Sequence, residues 1–229
     1  GLSSGSTPTS RNRLKENHLL SMTIPLPPLD EQRRIVAHID ALAARISEAR
    51  GLRQAALEEG ERLIVSMHLA LSDGRVVRVA DLLELDEQAE KLHPTTEYQV
   101  AGVYSFGRGL FSRGIIKGNE TNYTSFNRLY RGAVVLSQLF GWEGAIAVCE
   151  DSFNGFYLSK EFRTFRCRES EVLPEYLSFI VPTEWFWSQL TRLTTGMGDR
   201  RQRVKPQLLL DMELPMPDVE VQQQAIEIL

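Results

Sequence analysis

Residues 24–74 read IPLPPLDEQRRIVAHIDALAARISEARGLRQAALEEGERLIVSMHLALSDG, and this stretch decides how the chain is organised. Pro25, Pro27 and Pro28 hold its beginning extended, because each ring fixes φ and disfavours helix in the residue before it. No further proline occurs before Pro94. Asp30 and Glu31 stand where a helix N-terminus favours negative charge, and Asp73-Gly74 supplies a stop. Between these marks Ile35, Ile39, Leu42, Ile46, Ala49, Arg53, Ala56, Gly60, Leu63, Met67 and Ala70 are spaced alternately by four and three residues, a heptad seam. A helix over 30–72 would be roughly 60 Å long, too long for a compact core and suited to a spacer. Two readings fit: an amphipathic helix on a domain surface, or one member of a two-helix coiled coil. The number of heptads favours the second. The small and charged residues in mid-seam bury little area, and Gly60, costing roughly 1 kcal/mol against Ala, is a place for a kink.

A chain of 229 residues holds one good-sized core plus an appendage. It has no run of eighteen apolar residues and no signal-peptide pattern, which leads us to expect a cytoplasmic protein that spans no membrane. Cys149 and Cys167 form neither CxxC nor a metal-ligand spacing and read as reduced core residues. His18, His38, His68 and His93 are too scattered to predict a shared metal.

The net charge of −4 conceals local basic segments. Between Val103 and Gly132, Arg108, Arg113, Lys117, Arg128 and Arg131 face the single acid Glu120. Between Thr191 and Pro206, Arg192, Arg200, Arg201, Arg203 and Lys205 face Asp199 alone. Such segments can bind phosphates without a basic total.

An internal repeat frames the chain. Residues 11–39 align without a gap on 201–229, with nine of twenty-nine positions identical: Arg11, Arg13, Lys15, Leu19, Leu20, Met22, Pro25, Pro27 and Gln32. The offset of 190 residues is far beyond solenoid or propeller periods and describes one large unit in tandem. We therefore expect a fragment, or a half-length version, of a duplicated protein. Its parts are the tail of a preceding domain and a proline strap (1–29), the long helix (30–74), a globular domain (75–206), and a second strap with the start of a second helix (207–229). Within the body, Val76–Leu85 reads as a short strand leading into a short helix. Tyr98–Phe106, Ala133–Leu139, Gly144–Glu150 and Phe162–Cys167 read as strands, and Val172–Leu193 as helix broken near Pro182. The expected fold class is α+β, a twisted and mainly antiparallel sheet attached to a long coiled-coil helix.

The segment GVYSFGRGLFSRGIIKGNETNYTSFNRLYRG, 102–132, interleaves glycines with aromatic and basic side chains. The glycines predict irregular loops. Arg offers a planar fork for phosphates or guanine edges, and Asn or Gln reads adenine, with Asn119, Asn122, Asn127 and Gln138 available. Either this segment contacts DNA, or it is a glycine-rich hairpin surface with solvated arginines. The run Gly196-Met-Gly-Asp-Arg-Arg-Gln-Arg, heading into a short helix, suits phosphates too; part of it recurs as Arg11, Arg13 and Lys15, so a joint common to both copies is the other reading. The candidate DNA-binding residues are Tyr104, Ser105, Arg108, Arg113, Lys117, Asn122, Tyr123 and Arg128, with Arg200, Arg201, Arg203 and Lys205. The helix-interface candidates are Ile35, Ile39, Leu42, Ile46, Ala49, Ala56, Leu63 and Met67. Walker A, GxSxG and HExxH sequences are missing. Glu84, Asp86 and Glu87 lack a lysine at nuclease-like spacing and are expected on a solvated helix face. No catalytic residue and no metal ligand is predicted.

The strap Ile24-Pro-Leu-Pro-Pro-Leu-Asp-Glu-Gln-Arg-Arg-Ile resembles the LPPL-x-EQ-x-x-I element that opens the conserved helices of the specificity (S) subunits of type I restriction–modification systems. The second strap, Leu214-Pro-Met-Pro-Asp-Val-Glu-Val-Gln, keeps the pattern but has Val221 where that family usually has Glu. The tandem layout is similar too. The resemblance implies a non-catalytic subunit whose target-recognition domain reads one half of a split sequence in double-stranded DNA. Its helices would set the gap between halves and dock modification (methyltransferase) subunits, which the restriction subunit joins. Adenosylmethionine, ATP and magnesium would belong to those partners, with no cofactor bound by this chain. With its seam unpaired, the long helix is expected to associate antiparallel with that of a second molecule. The rival reading is a coiled-coil scaffold whose globular domain binds protein.

Overall fold

The computed structural model describes residues 16–194 and 203–228. Two compact units divide the chain, residues 1–56 and 57–229. Helix α1 (Glu16–Leu20) leads into the first proline strap, and helix α2 (Leu29–Leu71) follows as 43 residues without interruption at Gly60, about 65 Å by helical rise. In the first unit Arg34 pairs with Glu31 at 2.7 Å and Arg33 with Asp30 at 3.6 Å; both pairs are exposed and contribute little. The seam residues Ile35, Ile39, Leu42 and Ile46 are 42–57% exposed.

In the second unit α2 ends where Asp73 and Gly74 turn to positive φ, 45° and 76°. Here the helix docks through Ile64, His68 and Leu71, one residue along from the seam positions Leu63, which is exposed, and Met67, which is half-buried. The seam and the docking stripe are thus neighbouring faces of one helix.

The rest of this unit runs β1 (Val76–Arg78), α3 (Val79–Leu82), β2 (Leu83–Leu85), β3 (Ala89–Lys91), β4 (Glu97–Val103), β5 (Leu110–Lys117), β6 (Ser125–Arg128), β7 (Val134–Ser137), β8 (Ile146–Val148), β9 (Tyr157–Leu158) and β10 (Phe162–Cys167). Then come α4 (Pro174–Ile180), α5 (Glu184–Thr194), α6 (Pro206–Leu210), β11 (Glu213–Pro215) and α7 (Val219–Ile226). The expected antiparallel character holds, with the strands divided among a four-stranded sheet, β2-β10-β7-β8, a five-stranded sheet, β3-β6-β9-β4-β5, and a β1–β11 ribbon. One parallel bridge, Val100 to Tyr157, is the exception among these pairings. The glycine segment read as irregular loops is mostly a hairpin: β4 and β5 pair over seven positions, with a register shift at Val100/Ala101.

Alternation along β7 places the core on both of its faces. Val135 joins Ala101, Leu129, Ala133, Cys149 and Leu158 between the two sheets. Val134 and Leu136 join Ile146, Phe165, Tyr176, Leu177, Ile180, Phe186 and Leu190 in the helical layer. The second strap completes that layer, with Leu209, Met212, Leu214, Met216 and Ala225 all buried. Among the described residues no helix is long and apolar enough to cross a membrane.

Candidate nucleic-acid interface

The outer face of the five-stranded sheet is built on a glycine. A Cβ at Gly102 would lie 2.7 Å from the Phe111 ring and 3.3 Å from the Arg113 side chain, so its absence lets both lie across β4. Tyr104 stacks on Phe111, centroids 4.1 Å apart and planes 23° from parallel. The Arg108 guanidinium stands 5.0 Å from the Tyr104 centroid, within cation–π reach, and its Nε–H donates to the Ser105 carbonyl at 3.0 Å. Ser105 Oγ donates to Glu143 Oε2 at 3.2 Å. The result is a ladder of Arg108, Tyr104, Phe111 and Arg113 with charge at both ends.

The hairpin tip is tied to the loop after β7. Phe106 N–H donates to the Glu143 carbonyl at 2.7 Å, and Gly107 N–H to that of Gly144 at 3.0 Å. Phe106 has φ 63°, a left-handed conformation that costs a non-glycine residue about 1–3 kcal/mol. A Cβ at Gly107 would fall 1.8 Å from the Pro182 carbonyl oxygen, so only glycine fits there.

Both flanks of the arginine-rich segment reach the same loop. Thr191 Oγ1 donates to the Trp142 carbonyl at 2.5 Å, and Val204 N–H to that of Gln138 at 2.8 Å. The loop after β7 thus takes bonds from the hairpin tip and from Thr191 and Val204. Arg200 and Arg201 themselves lie outside the described residues.

The other candidates separate. Lys117 lies at the far end of β5, seven residues from Leu110 and roughly 23 Å away by strand rise. It approaches Glu97 at 4.0 Å, and the exposed Asn122 and Tyr123 follow it, remote from the tip. Arg128 is exposed at the end of β6, beside Tyr157. Burial, then the Glu90 carboxylate accepting its hydrogen bond at 3.1 Å, holds the Tyr157 hydroxyl above its usual pKa. Arg203 forms an ion pair with Glu161 at 2.8 Å, so phosphate must compete for it. Lys205 is exposed at the N-cap of α6.

Two adenine-reading candidates are corrected. Asn127 is buried between the sheets, its Nδ2 donating to Thr164 Oγ1 at 2.8 Å and its Oδ1 accepting the Gln88 N–H at 2.8 Å. Gln138 is buried as well. Asn127 is turned inward by its place in the pleat of β6 and Gln138 is enclosed in the turn after β7, neither of which sequence could show. Glu84, Asp86 and Glu87 are likewise on β2 and the turn after it, not on a helix. Asp86 and Glu87 pair with Arg166 and Arg163 of β10 at 2.5 and 2.7 Å, and Glu84 with Arg168 just after that strand at 3.2 Å. Burial pushes the Cys149 and Cys167 thiols up to about 12, which leaves both inert at neutral pH. The sequence offered Phe106 and Phe111 only as interleaved aromatics. Exposed Phe140 and Trp142, beside them, had no signal beyond the flanking Gly141 and Gly144.

No family model matches the sequence. No curated protein matches it either. Solved structures do. The HsdS subunit from Thermoanaerobacter tengcongensis is 21% identical, over 99% of this chain and 56% of that one, with a TM-score of 0.47. A structure addressing complex assembly and conformational transition of the type I R-M system is 22% identical over 96% and 56%, at 0.53. The type I restriction–modification S subunit from M. genitalium is 12% identical over 99% and 60%, at 0.51. The chain spans little more than half the length of the chains it matches. Over that span its fold, a long helix joined to an α+β domain, is the fold of a type I restriction–modification S subunit.

Proposed function

We propose that this chain reads DNA as the specificity subunit, or part of it, of a type I restriction–modification complex. The observation that supports the reading is the Arg108–Tyr104–Phe111–Arg113 ladder, on a hairpin whose tip is tied to the loop that also takes bonds from Thr191 and Val204. Arginines on a rigid hairpin hold phosphates or guanine edges, and stacked aromatics keep them in place. Arg108, Arg113, Tyr104 and Ser105 form the core of the contact surface, and Arg200, Arg201 and Lys205 add to it in sequence. Lys117, Asn122, Tyr123 and Arg128 would touch only a duplex that runs along the sheet. The exposed seam from Ile35 to Ile46 suits a helical partner, either a second copy or the methyltransferase subunits. The chain is read as non-catalytic, with adenosylmethionine, ATP and magnesium held by its partners.

Selection of bound duplexes from a randomised library, with the chain alone and with its modification subunit, tests this. A short defined motif is the expected result. Salt-sensitive binding without a motif would leave a DNA-binding protein without specificity, and no enrichment under either condition would favour a protein-binding scaffold.

A further inference from the structure

Phe106 is an aromatic residue in a glycine's conformation. Its φ of 63° matches that of Gly107 beside it, yet its ring gains little from the rest of the molecule. The side chain is 58% exposed, and its nearest aromatic neighbour, Trp187, meets it edge-on at 6.1 Å. Glycine at this position would remove the strain, and serine or asparagine would keep the tip polar. The backbone beneath the ring is fixed by the bonds from Phe106 and Gly107 to the 143–144 carbonyls and by the close fit of Gly107 on Pro182. The ring is thus projected from a rigid support. The Arg108 guanidinium stands 6.0 Å from it and 5.0 Å from Tyr104, so positive charge borders the apolar tip.

A rigid apolar ring beside arginines matches the side chains that enter a duplex between stacked base pairs, where the arginines hold the flanking phosphates and the ring replaces a lost stacking partner. A protein-binding hot spot would also expose an aromatic ring, but the flanking charge favours a polyanion. We propose that Phe106 is a wedge that parts one base step of bound double-stranded DNA, next to the phosphates contacted by Arg108. This rests on the DNA-reading function proposed above.

The test uses the full chain and the duplex recovered by selection, carrying 2-aminopurine at successive positions. Wedge insertion predicts a severalfold rise in fluorescence on binding at one or two adjacent positions and little change elsewhere. Phe106→Gly and Phe106→Asn, which fit a positive φ, should melt no lower than the parent and keep the salt dependence of binding while losing the fluorescence rise. Phe106→Leu should restore it. Duplex binding with no rise at any position, or a rise unchanged in Phe106→Gly, overturns the wedge and leaves DNA reading intact. Failure of the parent chain to bind any duplex overturns both.

Discussion

Gln222 and Gln32, 190 positions apart, make the same local hydrogen bond: each donates from Nε2 to the carbonyl five residues earlier, Pro217 at 2.8 Å and Pro27 at 2.7 Å. Their surroundings differ. Gln222 is fully buried, donates also to the Glu171 carbonyl at 3.0 Å, and accepts the Leu173 N–H at 2.9 Å. Along the straps Met216 is 0% exposed, and its counterpart Leu26 is 72% exposed. The repeat therefore encodes the same local bond twice, and within the second unit the globular layer encloses the later copy.

Gln222→Ala should destabilise the chain by about 2 kcal/mol, because it takes the side-chain partner from the partly buried Leu173 N–H and Glu171 carbonyl. Gln32→Ala should change stability by no more than about 0.5 kcal/mol. Urea unfolding of both variants checks the contrast, and equal effects would contradict it.

His68 makes stability pH-dependent. Its Nδ1 meets the Tyr176 hydroxyl at 2.9 Å, and Trp185 covers its ring at 5.0 Å. Nε2 makes no hydrogen bond of proper geometry. Burial lowers the pKa to about 4, with the Pro215 carbonyl pulling weakly upward. Below the ordinary value of about 6.5 the unfolded chain takes up a proton that the folded chain refuses. The stability from neutral His68 is thus complete above that value and lost as pH falls toward 4, in all about 3 kcal/mol. Denaturation midpoints across this window should fall less steeply in His68→Phe than in the parent.

Asn127→Ala removes the polar bridge between the sheets and should cost about 2 kcal/mol, because the Gln88 N–H loses its acceptor while the Thr164 hydroxyl keeps only its bond to the Asp86 carbonyl. The motif recovered by duplex selection should not change, since the amide is inside the protein. A changed motif would return Asn127 to the reading surface.

Arg113→Ala should lower the salt slope of duplex binding by about 0.9, the release expected from one lost phosphate contact. Arg203→Ala should lower it less, because Glu161 already neutralises that guanidinium. Glu161→Gln should steepen the slope by freeing it. Titrations across a range of salt concentrations test all three.

Self-association through the seam should fail when Ile39 and Ile46 are both replaced by Glu, which places like charges in an apolar interface. Sedimentation equilibrium should report more than one chain per particle for the parent at tens of micromolar and a monomer for the double variant. A monomeric parent would remove the helix pairing altogether.

The long helix, its proline beginning and its Asp-Gly end were legible because they rest on local rules: fixed φ at proline, a seam that repeats, and a glycine that tolerates positive φ. The strands Phe162–Cys167 and Val134–Ser137 were legible from their apolar runs. Strands β3, β6 and β9 were not, because two to four residues carry too little pattern to separate from loop. The hairpin was legible only as one of two readings of its segment, because sequence reads glycines as breaks where the structure uses Gly102 to make room for Phe111 and Arg113.

Taken alone, the sequence determined the repeat, the straps, the apolar seam and the two basic stretches, all features of composition and spacing. Tertiary structure alone decided that Asn127 turns inward, that Arg163 and Arg166 of β10 are spent on the carboxylates just after β2, and that Thr191 and Val204 bond to the loop after β7. Each outcome depends on which face of a pleat a residue occupies and on pairings between strands distant in sequence. A one-residue change of register would reverse those faces with no change in local composition.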